Sequence, residues 1–125
     1  VSARSVLGLV ARARGALRRA GVKPGDRVAL LAPNSAKWVA ADLAILFEGA
    51  IVVPLYSRQD PKELAVMTRD CAPVLVLAEG PALADALRAA WPDACPIALF
   101  ADVFAADPIE GPPRALAPTD AVTII

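Results

Sequence analysis

Four short aliphatic runs, RVALLA at 27–32, AIVV at 50–53, PVLVLAE at 73–79 and PIALFAD at 96–102, alternate with segments whose apolar residues recur every three or four positions. That alternation of β-like and helical periods leaves few folds open. Strands separated by helices pair in parallel through crossovers, which predicts an α/β fold, an αβα layered and mostly parallel sheet. The runs are nearly uninterrupted in apolar character, as strands covered on both faces must be. The stretch LFEGAIVVPLY, Leu46 to Tyr56, shows the joint in miniature. Gly49 suits the left-handed position that closes a helix, and Ala50 to Val53 is rich in β-branched residues that fit a pleated strand. Pro54 has no ladder donor and is expected to end that strand and open a loop at its carboxyl end, where ligands bind in open α/β sheets.

The flanking segments extend the pattern. Residues 1–20 form a leading helix with Val6, Val10, Ala13, Leu17 and Ala20 on one stripe. Five arginines lie between Arg4 and Arg19, and their helical spacing predicts a solvated face rather than a binding stripe. GVKPGD fits a type II turn, with Pro24 fixing φ and Gly25 free to take a positive one. Asn34 or Ser35 caps the next helix, 36–48, which is apolar almost all round apart from Lys37, Asp42 and Glu48 and so largely buried. Asp60, Pro61 and Glu63 make a start signal for a third helix, with Asp60 expected to accept from the backbone near Glu63. Leu64, Met67 and Cys71 are its expected inner face. A fourth helix covers Gly80 to Ala90, residues 21–106 thus alternating strand and helix. The stretch 107–119 holds four prolines and reads as an irregular crossing, and 120–125 begins a further strand.

The residue inventory excludes much chemistry. The chain has no histidine, so neither a Ser-His-Asp nor a Cys-His arrangement is available, and the usual zinc spacings cannot be built. Neither G-x-G-x-x-G nor G-x-x-x-x-G-K-[ST] occurs. LLAPNS follows the first strand without a carboxylate, which argues against a phospho-accepting switch. Met67 and Cys71 read as core packing rather than soft metal ligands, Asp42 as a polar side chain at a helix's solvent edge, and Trp38 and Trp91 as bulk at the core or its rim. Tyr56, Ser57 and Arg58 sit where a ligand would approach, but a lone Tyr-Ser-Arg has low specificity and a structural loop role is the favoured reading. Thirteen basic and thirteen acidic residues cancel, which argues against nucleic acid as a partner. No uncharged run exceeds nine residues, short of the roughly 20 that span a bilayer. With no signal-peptide pattern and two cysteines 24 positions apart, a soluble cytoplasmic protein with reduced thiols is expected. Residues of the AVILMFWYC set make up 57%, above the roughly 45–50% usual in soluble domains. That excess, the absent initiator methionine and the apolar end DAVTII suggest a single-domain fragment whose partner is the remainder of its own chain. Such an edge is expected to self-associate.

As an ordered set, GVKPGDRVALLAPNSAKWVAADLAILFEGAIVVPLY resembles the amino-terminal region of the adenylate-forming (AMP-binding) enzymes. The matches are Gly21, Val22, Gly25, Asp26, Val28 and Ala29; Pro33, Asn34 and Ser35; then Gly49, Ala50, Val53, Pro54 and Leu55. DPKELAVMTRDCAPVLVLAE is similar to the family's next helix and strand. Glu48 and Gly49 stand where many members have K-A-G or R-A-G. Tyr56 follows V-P-L where peptide-synthetase domains carry aspartate, which makes the chain most like a long-chain fatty acyl-CoA synthetase. The resemblance implies the amino-terminal part of the large domain of an ATP-dependent carboxylic acid:CoA ligase, with ATP, Mg and coenzyme A as cofactors of the intact enzyme and a fatty or other carboxylic acid as substrate. The family's Ser/Thr/Gly-rich phosphate loop follows a strand resembling TDAVTII, where this chain stops. No catalytic, cofactor-binding or metal-ligating residue is therefore assigned within 1–125, and the fragment alone is expected to be inactive. The alternative is a free-standing α/β binding module without adenylation chemistry.

Overall fold

The computed structural model describes residues 3–55, 58–111 and 114. Four parallel strands, β1 (Arg27–Leu31), β2 (Ile51–Leu55), β3 (Leu75–Ala78) and β4 (Ile97–Leu99), form one sheet in the order β2-β1-β3-β4. Five helices accompany them: α1 (Ala3–Arg19), α2 (Ala36–Phe47), α3 (Pro61–Cys71), α4 (Pro81–Ala90) and the short α5 (Phe100–Val103). Val28 and Leu30 of β1 face α1, α2 and α5, in a core with Leu17, Ile45, Val52, Leu77 and Phe100. Ala29 and Leu31 face the other way, onto Leu64 and Ala65 of α3 and Leu87 of α4. The period of two along each strand thus separates two cores, and the expected three-layer αβα arrangement is present.

Local chemistry explains the joints. Gly49 takes φ +76, and the Gly49 and Ala50 amides donate to Leu46 and Ile45 carbonyls at 2.9 and 3.0 Å, the paired closure of a helix in a left-handed glycine. Gly25 takes φ +89, and Asp26 N–H donates to Lys23 O at 3.0 Å, as a type II turn requires. Of the two possible α2 caps it is Ser35 that serves, accepting from Trp38 N–H at 3.1 Å.

Five expectations change. Pro54 lies inside β2, paired with Leu30. Among the described strands β2 is an edge of the sheet, the place where proline's missing donor is tolerated. Asp60 precedes α3 but makes no capping hydrogen bond. On α3, Met67 is 37% exposed while Thr68 is buried, its hydroxyl donating to Leu64 O at 2.6 Å. That bond within the helix satisfies Thr68 and lets it take the inner position. The fourth strand ends at Leu99, because Phe100 and Val103 turn into α5 and bury on the α1 side. Phe100 there meets the Phe104 ring edge-on, centroids 5.3 Å apart. On α1, Ala20 falls beyond the helix and is exposed, and the inner stripe is Val10, Ala13 and Leu17.

The crossing that begins at Asp107 runs against α1. Ile109 N–H donates to Ala11 O at 2.8 Å, and a Cβ on Gly15 would lie 1.9 Å from Asp107 O. Only a glycine admits that approach. The strand expected at 120–125 lies outside the described residues.

Candidate functional site

β1 pairs with β2 on one side and β3 on the other, so the chain reverses direction across β1. Ligands of open α/β sheets sit outside the carboxyl ends of strands at such a switch. Two clefts open at this edge, flanking the start of α2. The first, about 430 Å³, is lined by Ala32, Pro33, Asn34, Trp38, Pro54, Leu55 and Arg58. The second, also about 430 Å³, lies among Ser35, Lys37, Glu79 and Phe100.

Each side chain in the first cleft is placed by local chemistry. Ala32 and Leu55 are buried and form an apolar floor. The Ser35 cap fixes the first turn of α2 and so the half-buried Trp38 on its wall. Arg58 is exposed and brings a permanent cation to the rim. A floor of methyl groups, an indole, the Asn34 amide and a guanidinium suit a ligand with an apolar or planar body and an anionic end. Of the three residues singled out after the second strand, Arg58 reaches this cleft; Tyr56 and Ser57 lie outside the described residues. The second cleft carries Lys37 and Glu79, whose opposite charges give it no net preference. Lys37 Nζ already lies 6.0 Å over the Phe104 ring.

The Ser35 hydroxyl of the second cleft is engaged by Trp38 N–H, and among the described residues no hydrogen bond joins it to Lys37 or Glu79. Among the described residues no group of three His, Cys, Asp or Glu side chains fits a metal ion, and no helix is long and apolar enough to cross a membrane. Asp42, half-buried on α2, has its carboxyl pushed up by burial, but it lines neither cleft.

The strongest polar feature was not legible as such from sequence. Glu48 is fully buried, and Arg14, read as part of a solvated face, is 2% exposed. Arg14 Nε donates to Glu48 Oε2 at 2.7 Å, Arg18 Nε to Oε1, and Arg114 Nη1 lies 3.5 Å from Oε1. Arg14 Nη1 also donates to Gly111 O at 2.9 Å, and Arg114 Nη1 to Val22 O at 3.0 Å. Burial pushes the Glu48 carboxyl up, but the hydrogen bonds and charges of Arg18 and Arg14 outweigh it and hold it below its ordinary range. The available signal was Arg14 and Arg18 on one helix face, one turn apart. The cluster ties α1, the end of α2 and the crossing together.

Comparison with known proteins places the scaffold. The family profile described as AMP-binding enzyme matches residues 1–125, the whole chain. The chain belongs to the AMP-binding enzyme family. Among curated relatives of this AMP-binding chain, the hybrid PKS-NRPS synthetase thnA of Trichoderma harzianum is 39% identical over 79 residues, 63% of this chain and 2% of that protein. The 7a-methyl-1,5-dioxo-octahydro-1H-inden-4-yl-propanoyl:CoA ligase of Mycobacterium tuberculosis is 48% identical over 67 residues, 53% of this chain and 13% of that protein. The solved Mycobacterium tuberculosis fatty acyl CoA synthetase superposes with a TM-score of 0.84 at 24% identity, covering 98% of this chain and 26% of that one. At that identity the superposition shows the shared fold. This AMP-binding chain thus spans a small part of each relative's length.

Proposed function

We propose that this chain is the amino-terminal part of an ATP-dependent carboxylic acid:CoA ligase, acting on a medium or long aliphatic acid. The observation that carries it is the whole-chain AMP-binding match on a parallel sheet whose carboxyl edge presents an apolar cleft rimmed by Arg58. In the intact protein, a substrate carboxylate oxygen attacks the α-phosphorus of ATP, the bond to the bridging oxygen breaks, and pyrophosphate leaves. A thiolate then attacks the acyl carbon of the mixed anhydride and AMP departs. The described residues offer neither a glycine-rich phosphate loop nor a metal-binding carboxylate group, and no residue of 1–125 is assigned to ATP or Mg. The residues of 1–125 supply scaffold, and the chain by itself catalyses nothing. The preference for an aliphatic acid rests on Tyr56 after V-P-L and on the apolar floor of the cleft. The relatives' names span a ring-bearing propanoyl group and a hybrid synthetase, so the acid must be measured.

Pyrophosphate exchange into ATP by the intact gene product, run across aliphatic, aromatic and amino acids, tests this. Exchange driven by aliphatic acids is expected. Exchange driven by amino acids alone would replace the acid class, and inertness with every carboxylate would favour a binding module.

A further inference from the structure

We propose that the mouth of the Glu48 cluster is a binding site for a phosphoryl oxyanion, independent of any adenylation chemistry. Three guanidinium cations, Arg14, Arg18 and Arg114, meet a single buried carboxylate there. Both carboxylate oxygens are taken, and among the described residues neither Arg18 nor Arg114 has a second carboxylate within ion-pair distance. Uncompensated charge next to a low-dielectric core draws a counter-ion.

The charge of these two arginines is directed. Arg18, Gly21, Val22, Lys23 and Arg114 line a cleft of about 360 Å³. Arg18 and Arg114 side chains are 38% and 31% exposed into solvent, so their inner atoms hold Glu48 while their outer atoms face out. Among the described residues, the two Nη groups of Arg18, Nε and Nη2 of Arg114 and Nζ of Lys23 have no partner. Among the described residues competing groups are few. The α1 carbonyls at Ala16, Leu17 and Arg18 are occupied by the Ala20, Val22 and Gly21 amides, and Asp26 Oδ2 is engaged by Lys23 N–H at 2.9 Å. Two guanidinium forks and an ammonium match several acceptor oxygens carrying two negative charges, the valence of a phosphate rather than of one carboxylate.

The test is calorimetric titration of the intact protein with inorganic phosphate, against sodium chloride at equal ionic strength and with saturating AMP to fill any nucleotide site. Saturable binding is expected. Lys23→Gln should weaken it about ten-fold, the worth of one charge-assisted hydrogen bond. Arg18→Gln and Arg114→Gln should weaken it at least as much. Lys23 is exposed and makes no side-chain bond to Glu48, so its variant keeps the fold and decides the matter even if the arginine variants do not fold. Absence of saturable heat, including the case where an acidic side chain of the protein itself fills the cleft, or unchanged affinity in Lys23→Gln, overturns the proposal.

Discussion

Replacing Glu48 by alanine would leave the buried Arg14 guanidinium without its carboxylate, and breaking a buried pair from one side costs about 3–5 kcal/mol. Arg18 and Arg114 lose less, because water reaches them. The acid dependence follows from the same residue. Glu48 has its folded pKa below the ordinary 4.5, so its stabilisation is present above the unfolded pKa and drains away as pH falls through the lower, folded value. Urea midpoints of the wild-type chain should therefore drop on acidification below about pH 4.5. Glu48→Gln should start lower at neutral pH and change less over that window. An equal acid slope in both proteins would move the acid sensitivity to another carboxylate. This cluster was hidden from sequence for a physical reason: its arginines stand 34, 30 and 66 residues from Glu48. Such pairing is decided by tertiary packing. Gly49 could be read correctly because its left-handed backbone is a local necessity.

Two glycines of α1 separate local propensity from tertiary approach. A Cβ at Gly8 meets nothing within 4 Å, so Gly8→Ala should stabilise by up to about 1 kcal/mol through helix propensity. Gly15→Ala gains the same propensity, but its Cβ would sit 1.9 Å from Asp107 O. The crossing must move, and overpacking of this kind costs typically 1–3 kcal/mol. Thermal midpoints should shift in opposite directions, and a gain in both would mean the crossing lifts off α1 at no cost. The helix starts make a second contrast. Ser35→Ala removes a real cap and should cost about 1 kcal/mol. Asp60→Ala removes none and should fall within about 0.5 kcal/mol of wild type. Chemical denaturation of both variants checks the order, and equal losses would mean Asp60 caps α3 in solution. Both positions look alike in sequence, an acceptor before a helical run; only backbone direction at the cap separates them.

At the scale of the whole molecule, the order of elements and the two buried faces were legible, because strand and helix periods differ and the strands are apolar on both sides. The ends of β2, β4 and α1 and the inner face of α3 were not, since they depend on which neighbour covers each residue. The Gly49 joint carries one more consequence, and it is kinetic. Gly25 N–H donates to Gly49 O at 2.8 Å, and Ile51 N–H to Asp26 O at 2.7 Å. The turn before β1 and the stop after α2 therefore bind each other and fix the Arg27↔Ile51 register; this contact is expected to form before the strands extend. Closing that loop early removes much of the entropy that makes parallel pairing slow. Gly49→Ala strains the positive φ and puts a Cβ 3.1 Å from Pro24 Cβ, so it should slow refolding more than it speeds unfolding. Stopped-flow chevrons showing the whole effect in the unfolding limb would place this contact after the rate-limiting step. Otherwise the glycine that shapes one helix end also sets the pace at which the sheet assembles.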